Sequence, residues 1–133
     1  MMISTRGRYA LRVMIELAER YEEGFVSLKS VSNNQQISEK YMESIISLLV
    51  KNGFVEGVRG KGGGYQLTRP ADEYTVGSIL TVTEGSLAPV ACLEKGDGEC
   101  HRSCDCKTLP IWQNLDKIIN EYLESVKLSD LCE

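Results

Sequence analysis

The sequence predicts a mainly α fold with one small β-hairpin, and three observations predict it. Apolar residues recur at the 3.6-residue period over most of the chain. The period changes to alternation in one place, on either side of the glycine-rich run Arg59-Gly60-Lys61-Gly62-Gly63-Gly64. A final helical stretch carries an apolar stripe wider than so small a chain can easily cover. At 133 residues and 42% hydrophobic, the chain has material for one small domain with an appended element. No apolar run approaches the roughly 18 residues that span a bilayer. Residues 1–6 lead straight into an amphipathic pattern with no apolar targeting segment, so a cytoplasmic chain with no membrane partner is expected.

The elements follow in order. Residues 5–21 read as a helix, with Tyr9, Val13, Leu17 and Arg20 on one stripe and Leu11, Met14, Ile15 and Ala18 beside it, ended by Gly24. Ser27 can cap a short helix to about Asn33, with Leu28 and Val31 facing in. A polar turn with one apolar plug, Ile37, separates it from a helix over 39–52 capped by Ser38. The inner face of that helix reads as Tyr41, Ile45, Leu48 and Leu49, flanked by Met42 and Ile46, and Gly53 stops it. Two short helices on a tight polar turn are the skeleton of a helix-turn-helix.

Strands are predicted at 54–58 and 65–68, with the glycine-rich run as the hairpin tip. A phosphate-binding P-loop is excluded there, because no GK[ST] opens a helix. A tip carrying Arg59 and Lys61 directly behind a helix-turn-helix reads as a wing. Its glycines, Gly60 among them, allow close approach to a phosphate, and Arg59 can enter a minor groove. Thr75 caps a helix to about Thr83, ended by Gly85. Pro110 opens the second-longest helix, to about Val126, with Ile111, Leu115, Ile118, Ile119, Tyr122, Leu123 and Val126 apolar. It reads as a dimerisation helix. The expected architecture is therefore a winged helix-turn-helix domain over 1–83, a cysteine-rich loop over 84–109, and a dimerisation helix with its tail over 110–133.

Charge divides along the same line. Residues 1–70 hold 10 Lys and Arg against 7 acids, a net +3, while 71–133 hold 5 against 12, a net −7. The overall −4 thus conceals a basic N-terminal working face.

Four of the five cysteines fall in CLEKGDGECHRSCDC, residues 92–106, a stretch with almost no apolar side chain to order it by packing. An iron–sulfur cluster fits, because thiolates are soft ligands and a loop lets them converge. Zinc and reactive thiols compete with it. The C-x7-C-x3-C-x-C spacing lacks the paired short knuckles of most structural zinc sites, and structural disulfides are rare in a cytosolic chain. An enzyme of the thiol oxidoreductase class is disfavoured, since no C-x-x-C opens a helix and His101 is the sole histidine.

The opening helix STRGRYALR, the SEKYMESI helix, the wing VRGKGGGYQL, the cysteine loop and the long last helix together resemble the Rrf2 family of bacterial winged-helix regulators, over nearly the whole chain. The family includes iron–sulfur cluster regulators, nitric-oxide sensors and a regulator of cysteine metabolism. The resemblance implies a homodimeric transcription regulator, typically a repressor, on a pseudo-palindromic double-stranded DNA operator, gated by a cluster and serving cluster biogenesis or a related redox or nitric-oxide response. A cluster-free or zinc-binding thiol sensor of cysteine metabolism is the alternative. By position, the family's ligating cysteines fall on Cys92, Cys100 and Cys106. The seven-residue first gap is similar to that of the nitric-oxide sensors. The positions that supply a fourth ligand in other members hold Leu109 and Arg8, so Cys104 is the best local candidate for the fourth, with His101 behind it. A 2Fe–2S centre is favoured over 4Fe–4S. On the DNA side the resemblance implies that Ser38, Lys40, Tyr41, Glu43 and Ser44 open or line the recognition helix, with Glu43 reading a base and able to accept from cytosine N4.

Overall fold

The computed structural model describes residues 2–94 and 105–133. Five helices and one hairpin make up its regular structure: α1 (Thr5–Glu19), α2 (Leu28–Gln35), α3 (Glu39–Lys51), β1 (Val55–Val58), β2 (Gly64–Leu67), α4 (Val76–Glu84) and α5 (Leu109–Ser125).

Short polar side chains start four of the helices. Ser4, Ser27, Ser38 and Thr75 each accept a hydrogen bond from the N–H three residues on, which satisfies a donor the helix itself leaves unpaired. At Thr75 the bond is reciprocal, since its own N–H donates to Ser78 Oγ. α1 stops at Glu19, two residues before the sequence expectation. There the Arg20 guanidinium binds Glu16 at 2.9 Å and Glu23 at 3.0 Å, and Tyr21–Glu23 tightens into a 3-10 turn. The α2–α3 turn passes through Gln36 at φ 56°, a left-handed conformation that is uncommon for a side-chain-bearing residue. It is held by the buried Ser32 hydroxyl donating to the Ile37 carbonyl, and Ile37 plugs the core at 6% exposure.

The core is built from Ala10, Val13, Met14 and Leu17 of α1, Val31 of α2, and Met42, Ile45, Ile46 and Leu49 of α3, closed by Val55, Leu67, Tyr74 and Ile79. The inner face of α3 is rotated from the expected one, because Met42 and Ile46 are buried while Tyr41 and Leu48 are only half-buried. β1 and β2 pair antiparallel, Val55 opposite Leu67 and Val58 opposite Gly64. A third, single-residue rung joins Val26 to Tyr65 through N–O distances of 2.9 and 2.8 Å and ties the wing root to the α1–α2 connection. Gly64 sits where any Cβ would collide with the Val26 carbonyl.

Tyr74 is fully buried, and its hydroxyl is a hub. It donates to the Phe54 carbonyl at 2.8 Å and accepts from the Thr68 and Arg69 N–H groups at 3.2 and 3.1 Å. Tyr74→Phe is expected to lower unfolding free energy by about 2 kcal/mol, since main-chain groups lose their partner while the packing is kept. Denaturant titration with an unchanged slope would register it.

α5 is the longest described helix at 17 residues, where the sequence ranked it second. None of its residues is buried. Its inner edge, Leu123 with Val126 beyond it, packs on Val76, Leu80 and Leu87. The chain then returns to the head: Val76 N–H donates to the Val126 carbonyl and Leu128 N–H to the Tyr74 carbonyl, each at 2.9 Å, and Leu128 is fully buried.

Candidate nucleic-acid interface and cysteine segment

α3 turns one face to solvent. Lys40, Glu43, Ser44, Ser47 and Lys51 lie along it at helical spacing, and all are exposed. Lys40 and Glu43 make no hydrogen bond or ion pair within the described residues, so both are available to a ligand. Ser38 Oγ is engaged as the cap, accepting from Tyr41 N–H at 3.2 Å, and keeps its own proton to donate. Ser44 donates to the Tyr41 carbonyl at 2.7 Å. Tyr41 is half-buried, its ring edge-on to Tyr9 at 5.9 Å, with the Arg12 guanidinium 5.0 Å from the Tyr9 centroid. It therefore braces α3 against α1 while leaving one side at the surface.

The wing tip carries Arg59 and Lys61 exposed, with Gly60 at φ 99° and Gly62 at φ 80°. Both φ values lie in the region that glycine enters without strain, which makes the tip compact. A cleft of about 510 Å³ separates the C-terminal half of α3 from the wing, and Ser47, Lys51, Arg59 and Gly60 are among its lining residues. Ser47 and Lys51 were not singled out by the sequence. Their spacing from Lys40 and Ser44 was the available signal, but the wing's position beside them is tertiary.

A polar clamp joins α1 to the C-terminal end of α2. Glu16, 7% exposed, accepts from Arg20 Nη1 at 2.9 Å, Asn34 Nδ2 at 3.1 Å and Gln35 Nε2 at 2.6 Å. Arg12 adds Nη2 to the Gln35 carbonyl at 2.6 Å and Nε to Gln35 Oε1 at 3.0 Å, closing the C-terminal end of α2. At the opposite end of α1, Glu84 accepts from Ser4 N–H at 3.0 Å and Ser4 Oγ at 2.5 Å, so the last turn of α4 grips the first turn of α1.

Of the four cysteines expected to ligate, Cys92 and Cys106 are described, while Cys100 and Cys104, with His101, lie outside the described residues. Cys92 is exposed on the 3-10 turn Ala91–Leu93. The next residue, Leu93, shares a cleft with Asp116 and Asn120 of α5. Cys106 is half-buried three residues before α5 begins, its Sγ 3.3 Å from Thr108 Oγ1. Among the described residues no three Cys, His, Asp or Glu side chains converge. Leu109 is the first residue of α5, and Arg8 is exposed with Nη2 3.2 Å from Thr5 Oγ1. At Cys132 burial, and then the nearby Glu19 charge, push the thiol above its usual range, and its Sγ lies 3.4 Å from the Leu128 carbonyl. No described helix is long and apolar enough to cross a membrane.

Comparison with known proteins places these features in context. The Rrf2 family profile, described as an iron-dependent transcriptional regulator, matches residues 3–133. The chain is similar to the solved structure of CymR, the global cysteine regulator of Bacillus subtilis, with 37% identity and TM-score 0.79 over 98% of this chain and 95% of that one. It is also similar to the structure of T. potens IscR, with 39% identity and TM-score 0.78 over 98% and 85%. The transcriptional regulator IscR of Serratia proteamaculans is 37% identical over 98% of this chain and 79% of its own length.

Proposed function

Because the chain belongs to the Rrf2 family of winged-helix transcription regulators, we propose that it works as a homodimer whose operator binding is controlled by an iron–sulfur cluster held by Cys92, Cys100, Cys104 and Cys106. The observation that carries this reading is the placement of Cys92 and Cys106 between the two working parts. One follows α4, which is bonded to α1, and the other precedes the apolar-striped α5. The donor set fits the group. Two described thiols bracket the segment, the Thr108 hydroxyl is placed to donate to the Cys106 sulfur, and the start of α5 brings the positive end of a helix dipole near that sulfur. Such a cluster would supply a redox- or ligand-sensitive centre whose presence orders the loop.

The chain's own residues do the rest. Lys40, Glu43, Ser38 and Ser44 face a major groove from α3, with Glu43 accepting from cytosine N4. Tyr41 holds α3 to α1 and offers its outer side to the backbone. Arg59 enters the adjacent minor groove, Gly60 lets the backbone approach, and Lys61 meets a phosphate. Two such heads, joined through α5, read two half-sites, so their separation governs affinity.

Anaerobic reconstitution of the five single Cys→Ser variants tests the cluster. Cys92→Ser, Cys100→Ser, Cys104→Ser and Cys106→Ser are expected to lose visible absorbance and iron, while Cys132→Ser keeps both. A normal cluster in Cys100→Ser would overturn the assignment. A second reading, a cluster-free thiol sensor in cysteine metabolism, is favoured by the similarity to the Bacillus subtilis cysteine regulator. It predicts an iron-free protein whose DNA binding responds to thiol oxidation at Cys92 or Cys106.

A further inference from the structure

We propose that the cleft between α3 and the wing is the seat of one DNA sugar-phosphate strand, with Lys51 and Ser47 holding its phosphate and Val50 and Val58 packing against its sugars. The inference rests on the reading of the chain as a DNA-binding regulator and assigns four residues that reading leaves out. Its geometry is direct. When α3 occupies a major groove and Arg59 the adjoining minor groove, the backbone strand that divides the two grooves has to pass between the elements that enter them. The cleft lies there, about 510 Å³ in volume, and its α3 residues Ser47 and Lys51 continue the exposed helical stripe of Lys40 and Ser44.

Its chemistry matches that occupant. Lys51, in the last turn of α3, supplies a cation, and Ser47, one turn earlier, supplies a hydroxyl donor. No carboxylate lines the cleft among the described residues. Val50 and Val58 are exposed at 39% and 51%, and each makes an apolar rim suited to deoxyribose carbons. The Tyr65 ring also lines the cleft, packed over Gly57 where a Cβ would collide with it.

The test is fluorescence anisotropy of the intact protein on a mixed-sequence duplex of about 30 base pairs, roughly three helical turns, across a potassium chloride series. It is repeated on duplexes the protein selects from a random library. Lys51→Gln should weaken binding evenly on all duplexes and make the slope of log K against log salt shallower by about 0.9 per protomer. Val58→Asp should weaken binding about tenfold at low salt, with the loss shrinking as salt rises, because a carboxylate would then face the phosphate. A scan of single neutral methylphosphonates should find one position that weakens the wild type and leaves Lys51→Gln unaffected. Both side chains are exposed, so circular dichroism and melting temperature should match the wild type. An unchanged slope in Lys51→Gln, or a loss confined to some sequences, would overturn the assignment. Wild-type DNA binding by both variants would hand the cleft to a protein or small-molecule occupant. A wild type that binds no duplex would sink the DNA-binding reading itself, and this one with it.

Discussion

Ile118→Asp is expected to convert a dimer to monomers and to weaken operator binding by about a hundredfold or more, since a single head loses the effective concentration that its partner provides. The stripe formed by Ile111, Leu115, Ile118 and Tyr122 is exposed at 56%, 38%, 62% and 65%, spaced four, three and four residues apart along α5. That is the alternation of a two-helix seam. On a lone protomer Ile118 stands in water, so aspartate there costs the fold little. In a paired seam the same charge is buried without a partner, at a cost of several kcal/mol. Sedimentation velocity and thermal unfolding separate the two effects. A monomeric product with an almost unchanged protomer fold is the expected pair of results, and a variant that stays dimeric would remove α5 from the interface.

The second large effect is expected at Glu16. Glu16→Ala deletes the acceptor for Arg20, Asn34 and Gln35 together. Breaking a buried charged network by removing one partner costs about 3–5 kcal/mol. The lower end applies here, because Arg20 keeps Glu23 and is 23% exposed. Since Asn34 and Gln35 end α2, the loss should be concentrated where the helix-turn-helix is set. Amide exchange over residues 33–38 should rise more than in α4, and operator affinity should fall under conditions where the protein is still folded. Uniform exchange across the chain would mean that Glu16 stabilises the fold without setting the reading angle.

Local chemistry was legible in the sequence, and distant geometry was not. Ser27, Ser38 and Thr75 announce helix starts because the hydrogen bond they make spans three residues. The glycine-rich tip likewise announces a turn. The rotation of α3 is not legible in the sequence, because periodicity yields a stripe but no partner, and the edge-on contact of Tyr41 with the ring of Tyr9 is tertiary. The cleft between α3 and the wing is a relation between elements, so nothing in the spacing of Ser47 and Lys51 discloses it. Leu128 was invisible for another reason: in VKLSDL no period exists to mark one leucine as interior. Cys100 and Cys104 rest on the sequence alone, outside the described residues.

The junction between Tyr74 and Leu128 has a consequence for how the protein is made. A head that closes on Leu128 cannot finish its core during synthesis until that residue has left the ribosome, well after the hairpin and α4 have emerged. Until then the Tyr74 carbonyl lacks the Leu128 N–H it accepts from in the finished fold, and the core lacks the Leu128 side chain. Closure and exposure of the α5 stripe therefore come at nearly the same moment. A chain interrupted between residues 122 and 128 would carry the whole α5 stripe on a head that lacks Leu128, joining an exposed apolar helix to an unfinished core.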